Sequence, residues 1–386
     1  MGSHKPGKVG DVLHRHASVV LFAFVLAGCA ADPSVDPFDV AILHKVDITV
    51  VAAHLDELET DMETRVPCTI VYDGEQVEQA GIRQKGNQLV ELDDKPSFSV
   101  KFDEFVDGRD LHGYNKVLLD NSLQDPTLLR SRLGSDTHLR VGIPAARVAH
   151  AQVSLNGVDK GIYVVVEAID KDFLRLHFGE EYDEGNLYEG PCCGDFVDDI
   201  ERLDLDDEKK DGRSRDDLRA LAEIILNAPD ATFAANVATK LDLDWFIKSY
   251  ALEALLGHWD GFAFGANNYY LYNNPRDGRL VFMPHGMDRI LEDSAFDAEK
   301  TPLTKLPLRI RTIPQLDERF HAELAALAGS AWNETSMQSA VNQVSDVIAT
   351  AHSGGQTDND LEHFNASVDS LRNTLSARSA NISPTP

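Results

Sequence analysis

Cysteine is scarce: four residues in 386, at Cys29, Cys68, Cys192 and Cys193. None stands in a C-x-x-C pair and no H-x-x-x-H accompanies them, so the spacing of a structural zinc site is missing. Setting Cys29 aside leaves three thiols, too odd a number for a complete disulfide framework. Adjacent Cys192 and Cys193 rarely bond each other without backbone strain, and Cys68 with one of them is the other arrangement open to the chain. Basic residues are few too: 36 Lys and Arg against 64 Asp and Glu leave a formal net charge of −28. No basic stripe offsets that excess, which argues against a nucleic-acid backbone as partner. The same excess suits solubility and divalent cations. There is no G-x-x-x-x-G-K-S/T, no G-x-G-x-x-G after a predicted strand, and no G-x-S-x-G. An ordinary P-loop, a dinucleotide fold and an α/β-hydrolase elbow are therefore not signalled. Internal repeats are absent as well.

Long apolar runs are nearly absent. Residues 17–26 (ASVVLFAFVL) form a short apolar stretch that an ordinary transmembrane helix would exceed. Lys5, Lys8, His14 and Arg15 precede it, and it ends in Leu26-Ala27-Gly28-Cys29. This pattern resembles the bacterial lipobox, in which the cysteine is lipidated and becomes the new N-terminus. Residues 1–28 are thus expected to be a lipoprotein signal peptide, Cys29 the lipidation site, and residues 29–45 a polar tether to the cell envelope.

What is present is enough apolar sequence, 43% of the chain, for a substantial core. Alternation predicts strands over residues 46–53, 68–72, 81–83 and 97–102, with a turn at Asp73-Gly74. Residues 125–139 read as a helix, with Asp125 as cap, Pro126 in the first turn and a Leu128, Leu129, Leu133 stripe. Asn156-Gly157 predicts a hairpin joining 147–155 to 161–167. Helices are predicted over 171–178, 219–226 and 243–256, a hairpin over 268–283, and mostly helix from Pro314 onward. The charge-rich stretch 201–217 reads as a loop. Strands dominate the first half and helices the second, which is an α+β class.

The chemistry concentrates in residues 258–272, HWDGFAFGANNYYLY. An aspartate on a loop (Asp260), asparagines shortly after (Asn267, Asn268), a strand hairpin, then a further aspartate (Asp288) is an order that phosphoryl transfer can use. The first Asp orients or deprotonates a hydroxyl; an Asn and the last Asp hold metal on the phosphates. Protein kinases place these parts as H-R-D…N, hairpin, D-F-G. Gly261 and Gly265 are expected to let this loop turn tightly, and His258 to support it by hydrogen bonding.

At these residues the chain resembles the spore coat protein H (CotH) kinase family of atypical protein kinases. The resemblance runs from about Val46 to Ile382. It is carried by GIRQKGN from Gly81, KPSFSVKF from Lys95, Leu118–Asn121, Asp125, Leu129 and Arg130, and Gly142-Ile143-Pro144. VSLNGVDKGIYVVVE from Val153, Gly185–Tyr188, Asp260, NNYYLY from Asn267 and Pro284–Asp288 complete it. It implies a reduced kinase-like fold over residues 46–386, with a strand-rich lobe over 46–167 and a mainly helical lobe over 168–386. It also implies transfer of the ATP γ-phosphate to Ser or Thr of a surface or secreted protein, with Mg²⁺ or Mn²⁺. Asp260 would be the catalytic aspartate, and Asp288 with Asn267 or Asn268 the metal ligands. Glu167 would sit where a hinge meets adenine; Lys101 or Lys85 would contact phosphate, as would Arg130. One departure stands out: the family's Pro-Trp-Asp-x-Asp reads Pro284-His285-Gly286-Met287-Asp288 here, with His285 as a substitute ligand to weigh. A catalytically weak kinase-like binding protein and a metal-dependent hydrolase are the alternatives. The acidic stretch 195–216, with Asp204, Asp206 and Asp207, offers oxygen ligands for Ca²⁺ but lacks EF-hand spacing.

Overall fold

A computed structural model describes residues 1–2, 36–86, 88–205, 214–352 and 358–382. The chain divides into Met1–Val35 and Asp36–Pro386, and everything below concerns the second. Cys29 and the expected leader lie outside the described residues, as do Asn87, Asp206 and Asp207.

Seven strands of the first half close into a barrel: β1 (Leu43–Val50), β2 (Val66–Tyr72), β3 (Glu75–Gln84), β4 (Phe98–Lys101), β5 (Lys116–Asp120), β6 (Val148–Leu155) and β7 (Val158–Glu167). Neighbours run β1-β2-β3-β4-β5-β7-β6, all antiparallel except β6 with β1, which pair in parallel and seal the ring. Alternation dictates the inside: along β2, Val66, Cys68, Ile70 and Tyr72 are buried while the residues between them are not. The predicted turns hold, since Asp73 and Gly74, then Asn156 and Gly157, all take positive φ, as a two-residue hairpin of matching twist requires. Cys68 is a free thiol in the barrel core, and burial pushes its pKa up to about 12. It is not bonded to Cys192 or Cys193, the arrangement that the sequence left open.

Helix α1 (Leu55–Thr60) follows β1, and α2 (Arg130–Arg140) lies between β5 and β6. The sequence pattern places the start of α2 at Asp125, five residues early. Leu128 has φ +60, which breaks the helical run. Asp125 still serves the helix from outside: its buried carboxylate accepts from the N–H groups of Thr127, Leu129 and Arg130.

The second half is mainly helical. It comprises α3 (Lys171–Phe178), α4 (Asp216–Asn227), α5 (Asp230–Val237), α6 (Leu243–Leu256), a single turn α7 (Phe262–Gly265), α8 (Lys305–Thr312), α9 (Pro314–Ser330), α10 (Glu334–His352) and α11 (Asp358–Ile382). A small antiparallel sheet sits among them, in the order β11 (Arg279–Pro284), β10 (Tyr269–Asn274), β8 (Leu187–Glu189), β9 (Asp204–Leu205). The short β9 and helices α5 and α8 were not expected from the sequence pattern.

Helix α6 is buried on nearly every side, begins at its cap Asp242 and ends at Gly257 with φ +63. Arg378 of α11, 2% exposed, donates to the carbonyls of Ala254 and Leu255 at that end and to Phe296. The guanidinium thereby serves carbonyls at the helix end, where N–H partners four residues on run out, and meets the negative end of the helix dipole. Replacing Arg378 by alanine should cost about 3 kcal/mol, because buried acceptors are left unpaired. A urea midpoint within error of wild type would contradict this.

Candidate functional site

Alternation along the barrel strands also dictates what faces outward. Val117 and Leu119 point into the barrel, so Lys116, Leu118 and Asp120 share the outer face of β5. Register sets Arg83 of β3 beside Ser99 of β4, and Ser99 beside Leu118. These residues form one wall of a cleft of about 400 Å³, with Arg65, Lys85 and Gly86. Ala168 and Ile169, just after β7, also line it. The other wall is Glu189, Gly190, Cys192, Asn267, Asn268, Tyr270, His285, Gly286 and Asp288. In a strongly acidic chain this wall gathers four cations, Arg65, Arg83, Lys85 and Lys116, three of them beside a carboxylate: Arg65 near Glu104 at 3.7 Å, Lys85 on Asp120 at 3.0 Å and Lys116 near Asp170 at 3.8 Å.

Two segments distant in sequence are laced together to build the second wall. His258 Nε2 meets the Gly286 carbonyl at 3.3 Å. A carbonyl only accepts, so Nε2 carries the proton; burial holds this imidazole neutral, with its pKa lowered to about 3. Trp259 Nε1 donates to Glu292 at 2.8 Å, Leu291 N to Leu256 O at 3.0 Å, and His285 N to Asn268 O at 3.2 Å. The amide of Asn268 donates to the Asp260 carbonyl and carboxylate at 2.9 and 3.0 Å, and that of Asn267 reaches the carboxylate at 3.4 Å. Asp260 therefore lies behind the asparagines; the pKa of the Cys192 thiol on the cleft wall is raised, first by its hydrogen bond with Cys193 and by burial, with the Asp260 carboxylate a smaller contributor.

With Nδ2 turned to Asp260, the Asn268 Oδ1 lies over Gly286, at 2.3 Å from where a Cβ on that residue would stand. Gly286 has φ +53, so glycine is fitted there both by backbone and by space. The other two glycines act differently from the tight-turn role the sequence suggests. Gly261 and Gly265 have no positive φ; a Cβ would meet His258 Nδ1 at 2.7 Å in the first and Asp260 Cα at 2.9 Å in the second. They permit close approach, and the left-handed positions fall on Ala266 and Asn268.

Electrostatics single out Asp288. Burial, then the neighbouring Asp120 and Asp125 carboxylates, push its pKa up to about 6. Burial also raises Asp120, yet the Lys85 ammonium at 3.0 Å and the Ser122 N–H hold it below the usual carboxylate range. Burial lowers His285, which also stands edge-on to Tyr270 at 5.2 Å.

Lys85, Asn267, Asn268 and Asp288, expected from the sequence, thus line one cleft, with Asp260 bound to its asparagines. Lys101, Arg130 and Glu167 are not among the lining residues, and Asp260 itself reaches the cleft only through Asn267 and Asn268. Lys101 stands near Asp103 and Glu104, at 3.7 and 3.6 Å. Arg130 pairs with Asp125, and its Nε is buried without an acceptor. Glu167 grips Arg147 through both carboxylate oxygens at 2.8 and 3.1 Å, and it is the backbone after it that borders the cleft. Among the described residues no three His, Cys, Asp or Glu side chains gather as a metal site; Asp204 of the acidic stretch lines the cleft alone. Arg65, Arg83, Lys116 and Asp120 were missed by sequence reasoning, although the i, i+2 alternation that buries Ile82, Val117 and Leu119 is the signal that exposes three of them.

Glu253 of α6 underlies the Asp260 loop. Its two oxygens accept from Phe262 N and Ala263 N at 3.2 and 2.8 Å, and burial pushes its pKa up to about 8. The folded value lies above the unfolded one, so this group favours folding below about pH 4.5. That contribution is lost as pH rises toward 8. The difference in urea midpoint between wild type and Glu253→Gln should therefore vary with pH across this window; a constant difference would contradict the shift.

A family model described as CotH kinase protein matches residues 82–382. The inner spore coat protein H of Bacillus subtilis is 26% identical over 208 residues, 50% of this chain and 54% of that protein. The invasin CotH2 of Rhizopus delemar is 25% identical over 187 residues, 45% of this chain and 32% of that protein. The match thus spans about half the length of the first relative and about a third of the second. Among solved structures, the Helicobacter pylori proinflammatory kinase CtkA aligns over 74% of this chain and 94% of its own, at 11% identity and a TM-score of 0.31, too slight to argue from.

Proposed function

Because the chain belongs to the CotH kinase protein family, we propose that its cleft binds ATP with a divalent cation and transfers the terminal phosphoryl group to a serine or threonine hydroxyl of a protein. The observation that carries this reading is the pairing of walls. Arg65, Arg83, Lys85 and Lys116 face Asp288, Asn267 and Asn268 across one space. A triphosphate needs cations along its chain and an oxygen-lined cation seat at its end, and this cleft has the chemistry for both.

The residues fit such a cation. Burial and like charge penalise the Asp288 carboxylate, a penalty that a positive ion would relieve. Asn268 presents its oxygen over Gly286, toward the turn that carries Asp288. Magnesium ordinarily takes one or two carboxylates and completes its shell with water and substrate phosphates, so a three-residue protein cluster is not required. When bound, Mg²⁺ or Mn²⁺ would neutralise phosphate charge; the chain's own residues do the rest. Lys85, rather than Lys101, is the lysine at the phosphates. Arg130, with its buried donor, supports the Asp125 turn behind them. The backbone following Glu167 borders the adenine. Asp260 orients the acceptor hydroxyl and takes its proton as the new O–P bond forms and the bridging P–O bond breaks.

In this reading residues 43–167 and 168–386 are the two lobes of a kinase-like fold; the tether expected over 29–45 ends earlier, because Leu43–Lys45 belong to β1 and Phe38 is buried in the barrel core. The protein works outside the cytoplasm, as the names of its relatives, a spore coat protein and an invasin, suggest, anchored through Cys29. The test is incubation with γ-labelled ATP and Mg²⁺ or Mn²⁺. Label on Ser or Thr of protein supports the reading, and free phosphate without labelled protein favours a hydrolase. A second reading rests on Gly286, where the family's motif often has aspartate: the chain binds nucleotide and transfers phosphate weakly or not at all. Nucleotide-dependent thermal stabilisation without any label would favour it.

A further inference from the structure

Cys192 and Cys193 form the tip of a five-residue loop, Gly190 to Gly194, that clasps the segment carrying the asparagines. Gly190 N donates to Tyr269 O at 2.9 Å, Gly194 N to Ala266 O at 2.8 Å, and the Tyr269 hydroxyl to Gly194 O at 3.0 Å. Gly190 lies flat on Tyr269, since a Cβ there would stand 2.3 Å from the ring. The loop thus brackets Asn267 and Asn268 from both sides. At its tip the two thiols are exposed and their sulfurs lie 2.9 Å apart. Cys192 also lines the cleft, and Cys193 already has φ +62.

We infer that Cys192 and Cys193 are a redox-responsive dithiol that closes to a vicinal disulfide and so shifts the Asn267–Asn268 segment, regulating the cleft; this rests on the reading of that cleft as the nucleotide site. The co-reactant is a low-molecular-weight disulfide. One cysteine thiolate attacks a sulfur of it and releases one thiol, leaving a mixed disulfide. The neighbouring thiolate attacks the protein sulfur of that bond and releases the second thiol. Two S–H bonds of the protein are lost, one S–S bond is gained, and the reagent leaves as two thiols. Adjacent Cα atoms stand about 3.8 Å apart, below the usual disulfide range of about 4.4–6.8 Å, so the closed form is strained and readily reduced. Such a bond suits a reversible switch better than a staple. Cys68, shut in the barrel core, takes no part.

The test uses the full chain with glutathione disulfide. Both cysteines fall in one tryptic peptide, residues 176–202. That peptide should become two hydrogens lighter with no partner attached, and dithiothreitol should restore it. Hydrogen exchange at residues 266–269 should change on closure, and affinity for ATP with Mn²⁺ should fall about tenfold, read by thermal shift. Cys193→Ser should bind nucleotide as the reduced protein does and, with no second thiol to resolve the mixed disulfide, should hold glutathione on Cys192 without the two-hydrogen loss. Recovery of the peptide only as glutathione adduct, or linked to another cysteine, overturns the proposal. Closure that leaves both exchange at 266–269 and nucleotide affinity unchanged also overturns it. Altered exchange with no nucleotide binding in either state would uphold the dithiol switch and defeat the nucleotide reading instead.

Discussion

Asp260→Ala is expected to lower phosphate transfer from γ-labelled ATP by about 10³-fold, the range lost when a positioned proton acceptor is removed. The side chain is held by two amides, so its loss also frees Asn267 and Asn268 at one end. Nucleotide binding should nonetheless survive, because Lys85, Arg65, Arg83, Lys116 and Asp288 still line the cleft. The signature is therefore a collapse in turnover with a retained nucleotide-induced thermal shift. Autophosphorylation above about a tenth of wild type would mean that another group takes the proton. Loss of the thermal shift as well would move Asp260 from chemistry to architecture.

The second large effect belongs to Asp288, where function and stability should move in opposite directions. Its pKa is pushed up to about 6, so above that pH the fold carries a buried carboxylate beside Asp120 that it would hold more easily as the neutral acid. The sign follows from the folded value lying above the unfolded one: the contribution to stability is complete below about pH 4 and is lost as pH rises through 6. Asp288→Asn removes that charge and keeps the shape. The variant should melt higher than wild type at pH 8, with the gap closing toward pH 4. Over the same range it should lose the stabilisation that ATP with Mn²⁺ gives wild type, which at 100-fold excess over Kd amounts to about 2.7 kcal/mol. A variant that keeps the metal-dependent shift would remove Asp288 from the cation site. Such an exchange of stability against activity is common where like charges are gathered for a ligand.

Much of this architecture was legible because local chemistry and global fold agree. Asp73-Gly74 and Asn156-Gly157 encode hairpin turns in the residues themselves, and α3 and α6 begin at aspartates that cap them. The loop of Asp260 and the turn of Asp288 could be read as partners from their order around the hairpin of β10 and β11. What the sequence concealed was set by tertiary contact. Nothing local says that Leu128 takes a left-handed conformation, so α2 was begun too early. Closure of β1 on β6 joins segments about a hundred residues apart, and no periodicity reports it. The basic wall was hidden because Arg83 and Lys116 come from separate strands and Arg65 from the loop before β2, each looking like an ordinary solvated charge until the barrel aligns them. Cys192-Cys193 read as an unlikely pair on Cα spacing alone; the loop that carries them gives the two thiols their place beside Asn267 and Asn268.

The ring of strands has a practical consequence for dissecting this protein. The matched family region begins at residue 82, inside β3, and a fragment cut there would lack β1, β2 and most of β3. Strands β4 and β6 would then each lose a partner and present bare hydrogen-bonding rims, and apolar residues such as Phe98 and Val153 would meet water. Open rims of that kind recruit other chains, so the shortened protein should aggregate rather than report weak activity. A fragment starting at residue 36 keeps the rims closed.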